Sequence, residues 1–276
     1  MEILVDQLAA LAHPHRLAVF RLLVRRCPDF VPAGDIAAAL DLKASTSSAH
    51  LAALTRAGLI TQHRIGTSIR YQYAPDGSQQ MLDSLFAECC RGRPELCPTG
   101  TEAAPAPSPS GQNGTYNVLF VCTGNSARSI MAEALLNHIA PERFTAYSAG
   151  TAPASSPNLR TLSLLKDKGL NTEALSSKHI ADLRTDDAPK MDFVFTVCDL
   201  AANEDCPTWP GTPVSGHWGL PDPVKATGSD AEKRLAFQQT YGALRNRITA
   251  FAALPIPTLD RIALQTHVDA IALKET

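Results

Sequence analysis

The residues Cys122-Thr-Gly-Asn-Ser-Ala-Arg128-Ser129 carry the strongest chemical signal in the chain. They stand between an apolar run, Tyr116 to Val121, and a helical stretch from Ser129 to Ala140. A loop so placed can point its backbone N–H groups inward, and the helix start adds positive potential. Thr123, Gly124, Asn125, Ser126, Ala127 and Ser129 would then cradle a tetrahedral oxyanion, with the Cys122 sulfur touching its centre. The same field favours the ionised sulfur. Arg128 offers a planar fork for two oxyanion oxygens, and Ser129 can donate to the sulfur. The bland alternative is a small buried thiol and an unrelated surface charge.

Two more cysteines, Cys198 and Cys206, follow a second apolar run, Met191 to Val197. Ester hydrolysis needs neither, whereas reducing an oxyanion takes two electrons, which thiols supply as they join in a disulfide. The segment His217-Trp-Gly-Leu-Pro-Asp222-Pro223 adds a carboxyl that could protonate a leaving oxygen.

In this order the loop, the thiol pair and the Asp-Pro segment resemble those of the low-molecular-weight tyrosine phosphatases and of the arsenate reductases that share their fold. The resemblance covers most of residues 116 to 255. It implies that Cys122 attacks arsenate while Asp222 protonates the departing oxygen. Cys198 would then attack Cys122, releasing arsenite, and Cys206 would resolve the disulfide by bonding to Cys198. An external donor, thioredoxin or glutaredoxin with glutathione, restores the thiols. Seven residues separate Cys198 from Cys206, one more than in the thioredoxin-coupled reductases, which leaves the reductant open. Some relatives hold potassium, and Asn125, Glu133, Ser148 and Asp182 could line such a site; no organic cofactor is implied. A tyrosine phosphatase fused to a DNA-binding regulator is the competing reading, and a pure oxyanion-binding module is a third.

Before this region the pattern is mostly helical. Helices are expected over Pro14 to Arg26, Ala33 to Leu40 and Ser45 to Ala57, the last capped by Ser45 and stopped by Gly58. Alternation from Leu59 to Tyr73 around Gly66-Thr67 predicts a β-hairpin wing. Met81, Leu82, Leu85 and Phe86 recur at helical spacing and suggest the seam of a homodimer. With Leu8-Ala-Ala-Leu-Ala-His13-Pro-His-Arg16 and Ser45-Thr-Ser-Ser-Ala-His50, this half resembles the ArsR-type winged-helix repressors over about residues 4 to 97. The resemblance implies operator DNA as a partner. Ser45, Thr46, Ser48 and His50 would reach bases and phosphates, with Arg64 and Arg70 tracking phosphates.

Cys89, Cys90 and Cys97 stand together at the end of the last predicted helix, where Gly92 and Pro94 let the chain fold back. Trivalent arsenic prefers three thiolates, so arsenite is the expected effector; zinc or another soft metal is the alternative, as are cysteines at a frayed helix end. Cys27, beside Pro28, reads as structural.

The 276 residues, 45% hydrophobic and 19% charged with a net charge of −2, fit two folded domains rather than a disordered chain, and any DNA binding must rest on a local patch. The expected domains are a winged helix over residues 1–97, a Pro/Ser/Gly-rich tether over 98–115 and a three-layer α/β domain with a central parallel sheet over 116–276. With no leader-like start and no apolar span, the cytoplasm is expected, a compartment in which the seven cysteines are redox, metal or nucleophile groups rather than a disulfide framework.

Overall fold

A computed structural model describes residues 2–85, 107–185, 187–204, 209 and 211–273. The chain divides into two compact units, Met1–Ala104 and Pro105–Thr276. Among the described residues, no helix is long and apolar enough to cross a membrane.

The first unit begins with α1 (Glu2–Leu11) and α2 (Pro14–Arg25). Pro14 suits the first turn of α2, where its missing N–H costs nothing, and the His13 side chain accepts from the His15 N–H to cap that turn. A two-residue strand β1 (Val31–Pro32) leads into α3 (Ala33–Ala39), α4 (Ala44–Arg56), β2 (Ile60–Ile65), β3 (Ser68–Tyr73) and α5 (Pro75–Ser84). The α3–turn–α4 pair and the β2–β3 hairpin are the expected winged helix-turn-helix, and Gly66 supplies the positive φ of 60° in the two-residue turn.

Two expectations need correction. The cap of α4 is Lys43, in extended backbone and without a side-chain cap bond, so Ser45 lies inside the first turn. The stripe on the last helix is also divided. Met81 is buried and Leu85 packs against the unit's own core, leaving Leu82 50% exposed, while Phe86 lies outside the described residues. Leu22, Leu23, Ile36, Leu51, Leu54 and Leu59 form the centre of that core.

The second unit is built on β4 (Tyr116–Cys122), β5 (Phe144–Gly150), β6 (Phe193–Thr196) and β7 (Val214–His217), all parallel in the order β5-β4-β6-β7. Around the sheet come α6 (Arg128–Ile139), α7 (Leu159–Asp167), the short α8 (Asp199–Asn203), α9 (Asp230–Ala252) and α10 (Arg261–Leu273). β4 is buried at every residue, as parallel strands with covered faces are. Phe195 stacks on Trp218 at 4.1 Å, and both pack with Phe251 from α9. Such ring pairs each add about 0.5–1.5 kcal/mol beyond area burial.

The end of the Pro/Ser-rich stretch belongs to this unit. Ser110 donates from N and Oγ to Asp192 at 3.1 and 2.8 Å, and Asp192 also accepts from the Asn117 N–H of β4 at 2.9 Å.

On α10, burial pushes the Asp269 carboxyl from 3.8 to about 6, opposed by a hydrogen bond from Gln265. The folded chain therefore holds a proton there that the unfolded chain has released, and stability falls as pH rises through the window from 3.8 to about 6. Asp269→Asn should flatten that part of the pH dependence in thermal melts and raise the melting temperature near neutral pH; an unchanged slope would show that the carboxyl titrates as in the open chain.

Candidate active site

The sheet order positions the site. From β4 the chain passes to β5 on one side and later returns to β6 on the other, so the carboxyl end of β4 is a topological switch point, where α/β sheets open a crevice. Cys122 is the last residue of β4, and Arg128 is the first of α6.

Between them the loop has its carbonyls pinned. Those of Cys122, Thr123, Gly124 and Ser126 accept from the N–H groups of Thr151, Ala152, Ala154 and Asn158 at 3.1, 3.0, 2.8 and 2.9 Å. That of Asn125 accepts from Ser177 Oγ at 2.7 Å. In a planar trans peptide the N–H points opposite to the C=O, so fixing these carbonyls turns the donors toward the other side, and the Asn125 N–H reaches Cys122 Sγ at 3.1 Å. Asn125 itself stands at φ 40°, a region asparagine tolerates better than most residues.

Gly150, which ends β5, is required for this approach, because a Cβ there would overlap the Thr123 carbonyl oxygen and crowd Asn125. Gly150→Ala should lower oxyanion affinity by at least about tenfold through displacement of the donors. Calorimetric titration with phosphate checks it, and unchanged affinity would mean that the loop geometry does not depend on this contact.

Cys122 is 2% exposed and its Sγ lies 2.9 Å from Ser129 Oγ. Burial pushes its thiol up, opposed by the bonds to Ser129 and to the Asn125 N–H and by the Arg128 charge; Cys198 is close enough to push it up further. The expected field is present in the Ser129, Asn125 N–H and Arg128 contributions, and burial opposes it. Burial is the largest cause, and the Arg128 charge that opposes it is shared with other partners. Arg128 Nη2 pairs with Asp222 Oδ2 at 2.8 Å and Nη1 donates to the Leu220 carbonyl at 2.8 Å. The other oxygen of Asp222 accepts from the Val224 N–H at 3.1 Å.

Cys198 caps α8 directly after β6, and its sulfur accepts from the Ala201 N–H at 3.4 Å. It is 2% exposed and lies 3.5 Å from Thr123 Oγ1, so the structure brings Cys198 against the Cys122 loop. Cys206 lies outside the described residues. Sequence reasoning missed His217, which is buried at the end of β7. Its Nδ1 is 2.8 Å from Thr196 Oγ1, and its Nε2 is 3.4 Å from the carboxylate of Asp199, the neighbour of Cys198. The available signal was its position at the head of the segment that runs to Pro223.

Asn125 Nδ2 donates to both Ser129 and Ser148, and Ser148 donates to Glu133, so three of the residues assigned to potassium do meet. Asp182 instead accepts from the His179 N–H in a turn cap. Lys178, also unforeseen, has its Nζ 3.5 Å from Glu133 and its N–H on Asn125 Oδ1 at 2.7 Å. Burial pushes the Glu133 carboxyl up, countered by Ser148 and the Lys178 ammonium. With that ammonium beside the carboxylate, the set does not fit a potassium ion.

On α4, Ser45 and Ser48 are exposed and Thr46 and His50 half-buried. The hairpin register pairs His63 with Arg70 and Arg64 with Ile69. Cross-strand partners share a face and consecutive residues alternate, so Arg64 and Arg70 project to opposite faces and cannot follow one phosphate row together. Cys89, Cys90 and Cys97 lie outside the described residues.

A model of the helix-turn-helix domain matches residues 11–63, and one of the low molecular weight phosphotyrosine protein phosphatase matches residues 117–262. An arsenate reductase of Oceanobacillus iheyensis is 36% identical over 49% of this chain and 94% of its own length. That of Bacillus subtilis is 33% identical over the same shares, 49% and 94%. The solved structure of a thioredoxin-dependent arsenate reductase from Corynebacterium glutamicum is 24% identical, covers 77% of this chain and 90% of its own, and has a TM-score of 0.36. With that phosphatase model spanning more than half its residues, the chain belongs to the low molecular weight phosphotyrosine protein phosphatase family, in which its curated relatives are arsenate reductases.

Proposed function

We propose that the second unit reduces arsenate to arsenite in the cytoplasm, and that the first is a DNA-binding repressor that arsenite releases from its operator. The observation that carries the enzymatic reading is the buried Cys198 sulfur, 3.5 Å from Thr123 Oγ1 beside the nucleophile loop. Phosphoryl hydrolysis has no use for a second thiol at that point.

In the reaction, arsenate enters the cradle and draws Arg128 away from Asp222. Cys122 Sγ attacks arsenic and forms an S–As bond, while the As–O bond that breaks releases water with a proton delivered by Asp222. The thiolate of Cys198 then attacks Cys122 Sγ. An S–S bond forms, and the S–As electron pair stays on arsenic, which leaves as trivalent arsenite. Cys206 attacks Cys198 and frees Cys122, and a thioredoxin- or glutaredoxin-type donor reduces the resulting Cys198–Cys206 disulfide with two electrons.

For the first unit, exposed Ser45 and Ser48 on α4 support a major-groove approach. Leu82 together with Ile3 and Leu8 of α1, at 50%, 61% and 41% exposure, offers apolar surface for a homodimer. Arsenite bound by Cys89, Cys90 and Cys97, which follow Leu82 in the sequence, would change the spacing of the two reading heads.

The deciding experiment supplies arsenate and each reductant system to the full chain and follows thiol consumption, with arsenite-dependent release of operator DNA read in parallel. Phosphotyrosine hydrolysis without arsenate-driven thiol consumption would establish a phosphatase instead. DNA release that persists with Cys89 and Cys90 changed to serine would remove the sensor assignment.

A further inference from the structure

We propose that His13, His15 and His50 form a binding site for a divalent transition metal of the zinc class, one that ties the start of α2 to the helix α4. One ring nitrogen from each lies within 4.8 Å of the other two. The rings are mutually close, with centroids 4.7 Å apart for His13 and His50, 5.5 Å for His13 and His15, and 5.7 Å for His15 and His50. A tetrahedral site with metal–nitrogen bonds of about 2.0–2.1 Å holds its ligand nitrogens about 3.3 Å apart. Small rotations of three imidazoles, one exposed and two half-buried, cover that difference.

One feature shows that these rings are not all simply satisfied histidines of a helix junction. His50 Nε2 is buried and has no hydrogen-bond partner among the described residues, an uncompensated polar atom that a ligand would resolve. His13 Nδ1 accepts from the His15 N–H at 3.2 Å, so it is the nitrogen with the lone pair, and a metal would take this ring through Nδ1 in place of that long cap bond. The guanidinium of Arg16 opposes a dication but is held by the carbonyls of Ala9 and Ala10.

Three imidazole nitrogens suit Zn2+, Ni2+, Co2+ or Cu2+ rather than Mg2+ or Ca2+, and leave one coordination position for water. Because His50 belongs to α4 and the other two to the α1–α2 junction, an ion here would crosslink those elements and withdraw the His50 ring from DNA. The site stands on this geometry alone and is independent of either unit's proposed activity.

The test titrates Co2+ into the full chain carrying Cys89→Ser, Cys90→Ser and Cys97→Ser, so that the thiol-rich segment does not compete. The expected result is one tightly bound equivalent with visible d–d absorption and no thiolate-to-cobalt charge-transfer band. His15→Asn, at an exposed position that leaves folding intact, and His50→Asn should each weaken binding by at least about tenfold, with competition by Zn2+ at the same site. Undiminished Co2+ uptake in the His15→Asn protein, a sulfur charge-transfer band, or no uptake at all would overturn the assignment.

Discussion

Cys122→Ser should bring arsenate-dependent thiol consumption down by at least about 1,000-fold, to the level of buffer containing the reductant alone. The hydroxyl is nearly isosteric with the thiol and keeps a partner in Ser129, so the fold and the pinned loop survive. What disappears is the redox-active atom, since an alkoxide on arsenic cannot pass an electron pair by forming a disulfide. Phosphate affinity of this variant should remain within about threefold of the parent, because the cradle is made of backbone N–H groups and Arg128. Residual turnover that depends on Cys198 alone would show that another sulfur performs the attack.

Cys198→Ser should lower steady-state arsenate turnover by at least about 100-fold while leaving the first step intact. The variant should therefore trap arsenic on Cys122 as a single-turnover adduct, detectable as added mass on the intact chain. It should also keep any slow hydrolysis of an aryl phosphate, which needs only Cys122, Arg128 and Asp222. This separation is the sharpest distinction between a reductase and a phosphatase with an incidental cysteine. Loss of both activities together would mean that Cys198 serves the loop through its contact with Thr123, 3.5 Å away, and not through electron transfer.

How much of this was legible in the sequence depended on whether local pattern or tertiary contact decided the outcome. The Cys122 loop was legible because its function requires a strand, a short turn and a helix in immediate succession, and β4 is a continuous apolar run bounded by that turn. The hairpin around Gly66 was legible for the same reason, a two-residue turn between alternating runs. By contrast, β5 with its Thr-Ala-Tyr-Ser-Ala interior and the four-residue β7 carry weak strand patterns, and they exist because β4 and β6 offer edges to pair with. Short α3-side β1 and the helix α10 likewise had no strong local signature.

At the site, residue types were readable but their partners were not. Lys178 and His217 act across 45 and 18 residues of sequence, from Glu133 and Asp199 respectively, and no local motif marks such pairings. The opposite facing of Arg64 and Arg70 could have been found by counting, since an even separation along two arms joined by a two-residue turn changes face. The burial that opposes the field at Cys122 comes from tertiary packing, which no local motif states.

The pairing of Arg128 with Asp222 at 2.8 Å makes the resting enzyme hold its own counter-ion where an anionic guest must sit. On the proposed chemistry, arsenate arrives carrying negative charge and outcompetes that carboxylate, whereas arsenous acid is uncharged near neutral pH. Reduction thus erases the very feature that held the guest, the guanidinium swings back to its internal carboxylate, and the product is left without a counter-ion.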